Sequence, residues 1–141
     1  NLYYSLYHPL LLMSSRQCYF QQTTGCLKSV VDEQCLDECS KVTSITNLNG
    51  QPLLIDKQRG GYPSIYSVRH FLNTDIVNDL PGFFDGFFID LSEIGFAENH
   101  IQDKARAVGL FADFLCGKEK AEQELKANIM KSTNSQYQKG L

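Results

Sequence analysis

Apolar and polar positions alternate, run together or recur at helical spacing in segments that can be assigned one by one. Leu2-Tyr3-Tyr4-Ser5-Leu6-Tyr7 reads as a strand entered midway, and the apolar run to Met13 passes into a polar loop, Ser14-Ser15-Arg16-Gln17. Val30 to Lys41 is rich in Asp and Glu and predicts a short helix. Val42–Leu48 and Pro52–Asp56 read as two strands of a hairpin joined at Asn49-Gly50, a pair that readily takes the positive φ angles of a type I′ turn. Thr74-Asp75 can cap a short helix through Leu80, and Pro81-Gly82 ends it. Gly86-Phe87-Phe88-Ile89-Asp90-Leu91 is almost continuously apolar, the pattern of a strand buried on both faces.

From Asn99 the period changes. Ile101, Ala105, Val108, Ala112 and Leu115 recur at helical steps and predict one buried face, with Gly117 as the stop. Lys118 to Met130 predicts a second helix with Ala121, Leu125 and Ile129 on its apolar side and a solvated Glu/Lys face opposite. The tail from Ser132 is polar and is expected at the surface. Strand, short helix, strand and helix in that order suggest βα units of a parallel sheet or barrel. The expected fold class is α/β: the C-terminal part of a barrel-like (β/α) parent. It would be a single unit over 1–141, with a cysteine-rich lobe at 18–41, a β-hairpin at 42–57 and a βα closing segment at 64–130. Two such strands cannot close a barrel. The missing N-terminal half of the parent is therefore one expected partner, and a homo-oligomer of the fragment another.

Composition narrows the class. A chain of 141 residues suffices for one core, and 43% apolar against 21% charged residues is the balance of a globular protein. The net charge of −3 and the scattered Lys and Arg provide no basic stripe, so an RNA substrate would be held mainly by residues outside this chain. The opening apolar run is broken by His8-Pro9, lacks a basic leader and is too short to span a bilayer. A cytoplasmic protein without a membrane partner is expected.

The densest chemistry is sulfur. Cys18, Cys26, Cys35 and Cys39 are separated by seven, eight and three residues, and nothing follows until Cys116. Cys35 and Cys39 are spaced to share a helix face. Thiolates suit zinc and iron–sulfur clusters, which are soft acceptors of sulfur donors. No CxxC knuckle occurs, which disfavours a structural zinc site. Free core cysteines and disulfides are the other readings of the same spacing. Cys116, among Phe114, Leu115 and Gly117, reads as a small apolar filler. His8, His70 and His100 form no zinc-protease pattern, and only His8 is near the cysteines. Asp75, Asp79, Asp85 and Asp90 are explained by capping and solvation, and Gly60-Gly61 by a turn. No G-x-S-x-G elbow is present.

Three stretches carry a resemblance: Leu12-Met13-Ser14-Ser15-Arg16-Gln17-Cys18, Cys35-Leu36-Asp37-Glu38-Cys39, and Ser64-Ile65-Tyr66 on to Ile94. The last includes Leu72-Asn73-Thr74-Asp75-Ile76, and the tail Thr133 to Gly140 adds to it. Together they resemble the C-terminal half of the collagenase-like peptidase family U-32. The resemblance implies a (β/α) barrel-like parent, named for peptidase or collagenase activity without a settled mechanism. It also implies relatives that carry a 4Fe-4S cluster and support oxygen-independent hydroxylation of ubiquinone precursors, transfer RNA or ribosomal RNA. The family's thiol positions carry over to Cys18, Cys35 and Cys39. A family cysteine seven residues before Cys18 is Leu11 here, and the usual glycine after Ser15 is Arg16. Cys26 is the candidate for a fourth thiolate from a different position. The leading expectation is thus a cysteine-ligated iron–sulfur module, with zinc as the alternative metal, serving hydroxylation of RNA or a small aromatic substrate. The rivals are a hydrolase of the peptidase type with a structural cysteine lobe, and a non-catalytic accessory domain; no catalytic residue is assigned.

Overall fold

The structure is a computed structural model that describes residues 1–95 and 100–139. In chain order its elements are β1 (Tyr3–His8), β2 (Leu11–Ser14), α1 (Phe20–Thr23), α2 (Glu33–Asp37), β3 (Lys41–Thr46), β4 (Pro52–Lys57), β5 (Ser64–Ser67) and β6 (His70–Leu72), followed by α3 (Asp75–Asp79), β7 (Gly86–Ile89), α4 (Lys104–Leu115), α5 (Ala121–Asn128), β8 (Ser132–Thr133) and α6 (Ser135–Lys139). The chain is mixed α/β, with two sheets and six helices among the described residues. It falls into two compact units, Asn1–Pro9 with Arg69–Glu93 and Glu98–Leu141, and Leu10–Val68 with Ile94–Ala97. No helix among the described residues is long and apolar enough to cross a membrane.

The first unit is built on a sheet of order β7-β1-β6-β8. β1 runs parallel to β7, with Tyr4 beside Phe87, and antiparallel to β6, with Tyr7 beside Leu72. β8 adds to β6 in parallel. The expected run of parallel βα units is therefore replaced by two parallel pairs joined across an antiparallel one. Leu6, Tyr7, Leu72, Ile76, Leu110, Phe111 and Leu125 form the centre of the core. Gly86 lies directly against the Tyr3 ring; a Cβ there would fall 2.8 Å from Tyr3 Cε1, so only glycine fits without displacing that ring.

Two expectations need correction here. β7 lies at the sheet edge, and Phe88 is 57% exposed while Phe87 and Ile89 pack on the core. Side chains alternate along a strand, so an edge strand with one covered face buries every second residue whatever its run of apolar letters. On α4 the buried residues are Ala107, Leu110 and Phe111; of the predicted stripe Ile101 is buried ahead of the helix, while Ala105, Val108, Ala112 and Leu115 face outward. The helix is apolar on both sides. The face with Leu110 and Phe111 carries an aromatic ring that buries more area than any side chain among Ala105, Val108, Ala112 and Leu115, and that difference decides the face. The expected start at Asn99 lies outside the described residues; Asp103 caps the helix by accepting from the Arg106 amide at 2.9 Å.

α5 buries Ala121 and Leu125 as expected, and Ile129 follows them into the core. Gly117, at φ +73, ends α4 with the Lys118 amide donating to the Asp113 carbonyl. The polar tail does not simply coat the surface. β8 joins the sheet, and the residues after it tie back to α3: Asn134 Nδ2 donates to Asp75 Oδ2 at 2.9 Å and Tyr137 Oη to Asp79 Oδ2 at 2.5 Å. Thr74 precedes α3 without capping it; its hydroxyl donates to Glu122 Oε1 at 2.8 Å instead.

The second unit holds an antiparallel sheet of order β2-β5-β4-β3. The apolar run at the chain start thus splits after His8 into strands of two different sheets. The hairpin stands as expected, β3 against β4 with Thr46 opposite Pro52. Its turn is different. Asn49 keeps a negative φ and only Gly50 is positive, so the loop is not type I′. Asn47 organises it: its Oδ1 accepts from the amides of Asn49 and Gln51, an Asx turn that satisfies the loop's donors locally. Beneath the sheet, Phe20, Ile55 and Ile65 form a small buried cluster.

Candidate functional site

The cysteine-rich lobe belongs wholly to the second unit. Cys18 precedes α1, and the chain turns at Gly25 (φ +69) so that the Cys26 amide donates back to the Phe20 carbonyl at 3.2 Å. Cys18 and Cys26 both pack against the Phe20–Ile55–Ile65 cluster. Gln21 Nε2 bonds to the Lys28 carbonyl and holds the following loop. Asp32 then starts α2, accepting from the Cys35 amide at 2.8 Å. The helix is only five residues long and covers less of Val30–Lys41 than the acidic composition suggests. One turn after Cys35, Cys39 leaves α2 into β3. There Gly60 N donates to Leu36 O at 2.6 Å and Lys57 Nζ to Cys39 O at 3.0 Å.

These constraints bring Cys26, Cys35 and Cys39 to the wall of one open cavity of about 370 Å³, which Lys28, Gln34, Glu38, Ser40 and Lys41 complete. Cys18 is not among its lining residues. All four thiols are free and half-buried. Lys28 Nζ binds both Asp32 oxygens at 2.9–3.0 Å and Gln34 Oε1 at 2.9 Å. That hydrogen-bonded ion pair, with the Cys35 amide, holds the Asp32 carboxyl well below the usual range, and the Asp32 partner raises Lys28. Among the described residues no three His, Cys, Asp or Glu side chains are already gathered around a point where a metal ion would sit. The donors are soft in kind, none is consumed in a disulfide and three line one cavity, though they are not gathered around one point.

Cys116 is exposed at the C-cap of α4, not a buried filler. The chain ends its helix there, and the apolar neighbours Phe114 and Leu115 do not carry the thiol inward. Asp85 and Asp90 serve backbone amides, accepting from Leu2 N and Ser92 N, in keeping with a structural role.

The first unit contains a polar cluster that sequence spacing did not reveal. His70 and His100, thirty positions apart, stack with ring centroids 4.0 Å apart, and Tyr7 Oη lies 2.7 Å from His70 Nδ1. Both imidazoles are buried. Ser92, Glu93 and Lys104 join them around a cavity of about 10 Å³, with Glu93 and Lys104 paired at 2.9 Å. Burial, and secondarily the His100 ring, lowers the His70 pKa to about 4; burial also raises the Tyr7 phenol. His8 has its own partners, Ser5 Oγ at 2.7 Å from its Nδ1 and the Phe71 ring stacked on it, and acts on His70 only through its charge. The available sequence signal is a histidine followed by Phe71 and Leu72 in a short strand.

No protein-family model, curated protein or solved structure matches this chain.

Proposed function

We propose that the chain is a thiolate-bound metal module, holding an iron–sulfur cluster of the 4Fe-4S type, or zinc as the alternative, through Cys26, Cys35 and Cys39 with Cys18 as the fourth donor. The observation that carries this reading is that three free, half-buried cysteines line one cavity. When bound, a cluster supplies one-electron chemistry at a potential set by burial and hydrogen bonds. The chain's own part is to present the sulfurs. Asp32 fixes the Cys35 amide, and Lys57 fixes the Cys39 carbonyl.

In this reading the resemblance to the U-32 family implies a larger (β/α) parent, whose proposed role is oxygen-independent hydroxylation of RNA or a small aromatic substrate. The exposed Phe88 on edge strand β7 and Phe83 ahead of it suit packing against the rest of such a parent, or against a second copy of the fragment. Anaerobic purification with an absorption spectrum and iron, sulfide and zinc analysis tests the centre. Iron with matching sulfide and a visible charge-transfer band is expected, or one zinc per chain for the alternative. A metal-free reduced protein that takes up neither would end the proposal.

A further inference from the structure

Lys57 is a fully enclosed lysine, 1% exposed at the end of β4. Its ammonium donates to the Cys39 carbonyl at 3.0 Å and to the Gln58 carbonyl at 3.4 Å. Among the described residues no carboxylate lies within ion-pair distance of it. Neighbouring Asp56 is also buried, but successive side chains leave a strand on opposite faces, and its carboxylate accepts from Gln58 Nε2. Lys57 therefore has hydrogen bonds without a counter-charge. Enclosing an ammonium in this way is costly unless a negative group shares the enclosure.

The same ammonium grips the backbone of a candidate metal donor. Several thiolates gathered on a metal ion or cluster carry net negative charge, and an enclosed cation acts on them with far less damping than one in water. Lys57 does not itself line the cavity, as Lys28 and Lys41 do; it reaches the centre through the Cys39 carbonyl, while the charge of Lys28 is paired with Asp32 and Lys41 is exposed. We infer that Lys57 is a positioning residue of the thiol centre: it holds the Cys39 segment and supplies the enclosed positive charge that offsets the thiolates once a metal is bound. This inference rests on the metal-module reading above.

The test is a Cd²⁺ titration of the full chain, reduced and under anaerobic conditions, followed by thiolate-to-metal absorption in the ultraviolet. Wild type is compared with Lys57→Met, Lys57→Gln and Lys57→Arg, each checked for folding by circular dichroism. Loss of an outer partner of a metal ligand typically weakens binding ~10–100-fold. A loss in that range is expected for Lys57→Met and Lys57→Gln, with Lys57→Arg recovering most of it. Gln keeps a donor for the Cys39 carbonyl without the charge, so it stands in if Lys57→Met fails to fold and separates charge from mere support. Affinity in Lys57→Gln equal to wild type, or an equal loss in Lys57→Gln and Lys57→Arg, would overturn the charge role alone. Absence of any cadmium–thiolate band in wild type would overturn the metal-module reading, and this inference with it.

Discussion

His70 and His100 stack within the first unit, rings inclined by only 13°, with the Tyr7 hydroxyl on Nδ1 of His70. Two parallel imidazoles this close cannot both carry a proton at low cost, and the burial that lowers the His70 pKa to about 4 acts in the same direction. The unfolded chain has no such restraint and protonates near pH 6.5. Between those values the unfolded state binds more protons, so stability falls as the pH drops from 6.5 towards 4. The loss attributable to His70 is on the order of 3 kcal/mol at the acid end. Urea unfolding at pH 7 and pH 4.5 should show a much smaller difference for His70→Phe than for wild type. Tyr7, His8, His100 and Asp90 act on the same site, so the variant's own slope is the quantity to compare. Equal slopes would show that His70 is not the titrating group.

The face of α4 can be checked by two substitutions on opposite sides. Phe111 is enclosed against Tyr7, their ring centroids 6.2 Å apart, and Phe111→Ala should cost ~3–5 kcal/mol. Val108 is half-exposed, and Val108→Ser should stay within about 0.5 kcal/mol. Thermal melts of the two variants would reverse in order if the stripe predicted from periodicity were the buried one.

The clasp between the tail and α3 should be pH-sensitive in the opposite sense. The Asp79 carboxylate, accepting the Tyr137 hydroxyl, pushes that phenol up to about 12. A raised phenol favours the folded state while it is neutral, so the contribution is present below pH 10 and is lost as the pH rises towards 12. Tyr137→Phe removes the contact at every pH. Limited proteolysis near Ser135–Lys139 should accelerate in this variant at neutral pH, and a digestion rate matching wild type would discount the clasp.

The cysteines divide into two groups with different expected behaviour. Cys39→Ser removes a donor at the cavity wall and should abolish metal retention on anaerobic purification, whereas Cys116→Ser, exposed at a helix end, should leave it unchanged. Metal content per chain measured on both variants is the check. Equal metal in the two would move the centre away from this cavity.

Much of the second unit was legible because its signals are local. Alternation on either side of Asn47–Gln51 is enough for the hairpin, since adjacent strands pair at the lowest loop-closure cost. The density of Cys18 to Cys39 likewise marked the lobe, and three of its thiols share a cavity. The turn type was not legible: Asn49-Gly50 suggests type I′, but the Asn47 side chain captures the loop amides first.

By itself the sequence determined the elements whose period and caps are written in neighbouring residues: the hairpin, the Gly117 stop, the α5 face through Ala121 and Leu125, and the sulfur-rich segment. Tertiary structure alone decided which apolar side of α4 is buried, that β7 is an edge, and that His70 meets His100. It also decided that Lys57 comes to lie under Cys39. Those outcomes depend on pairing between segments dozens of residues apart. There, packing volume and enclosure select among faces that local periodicity leaves equivalent.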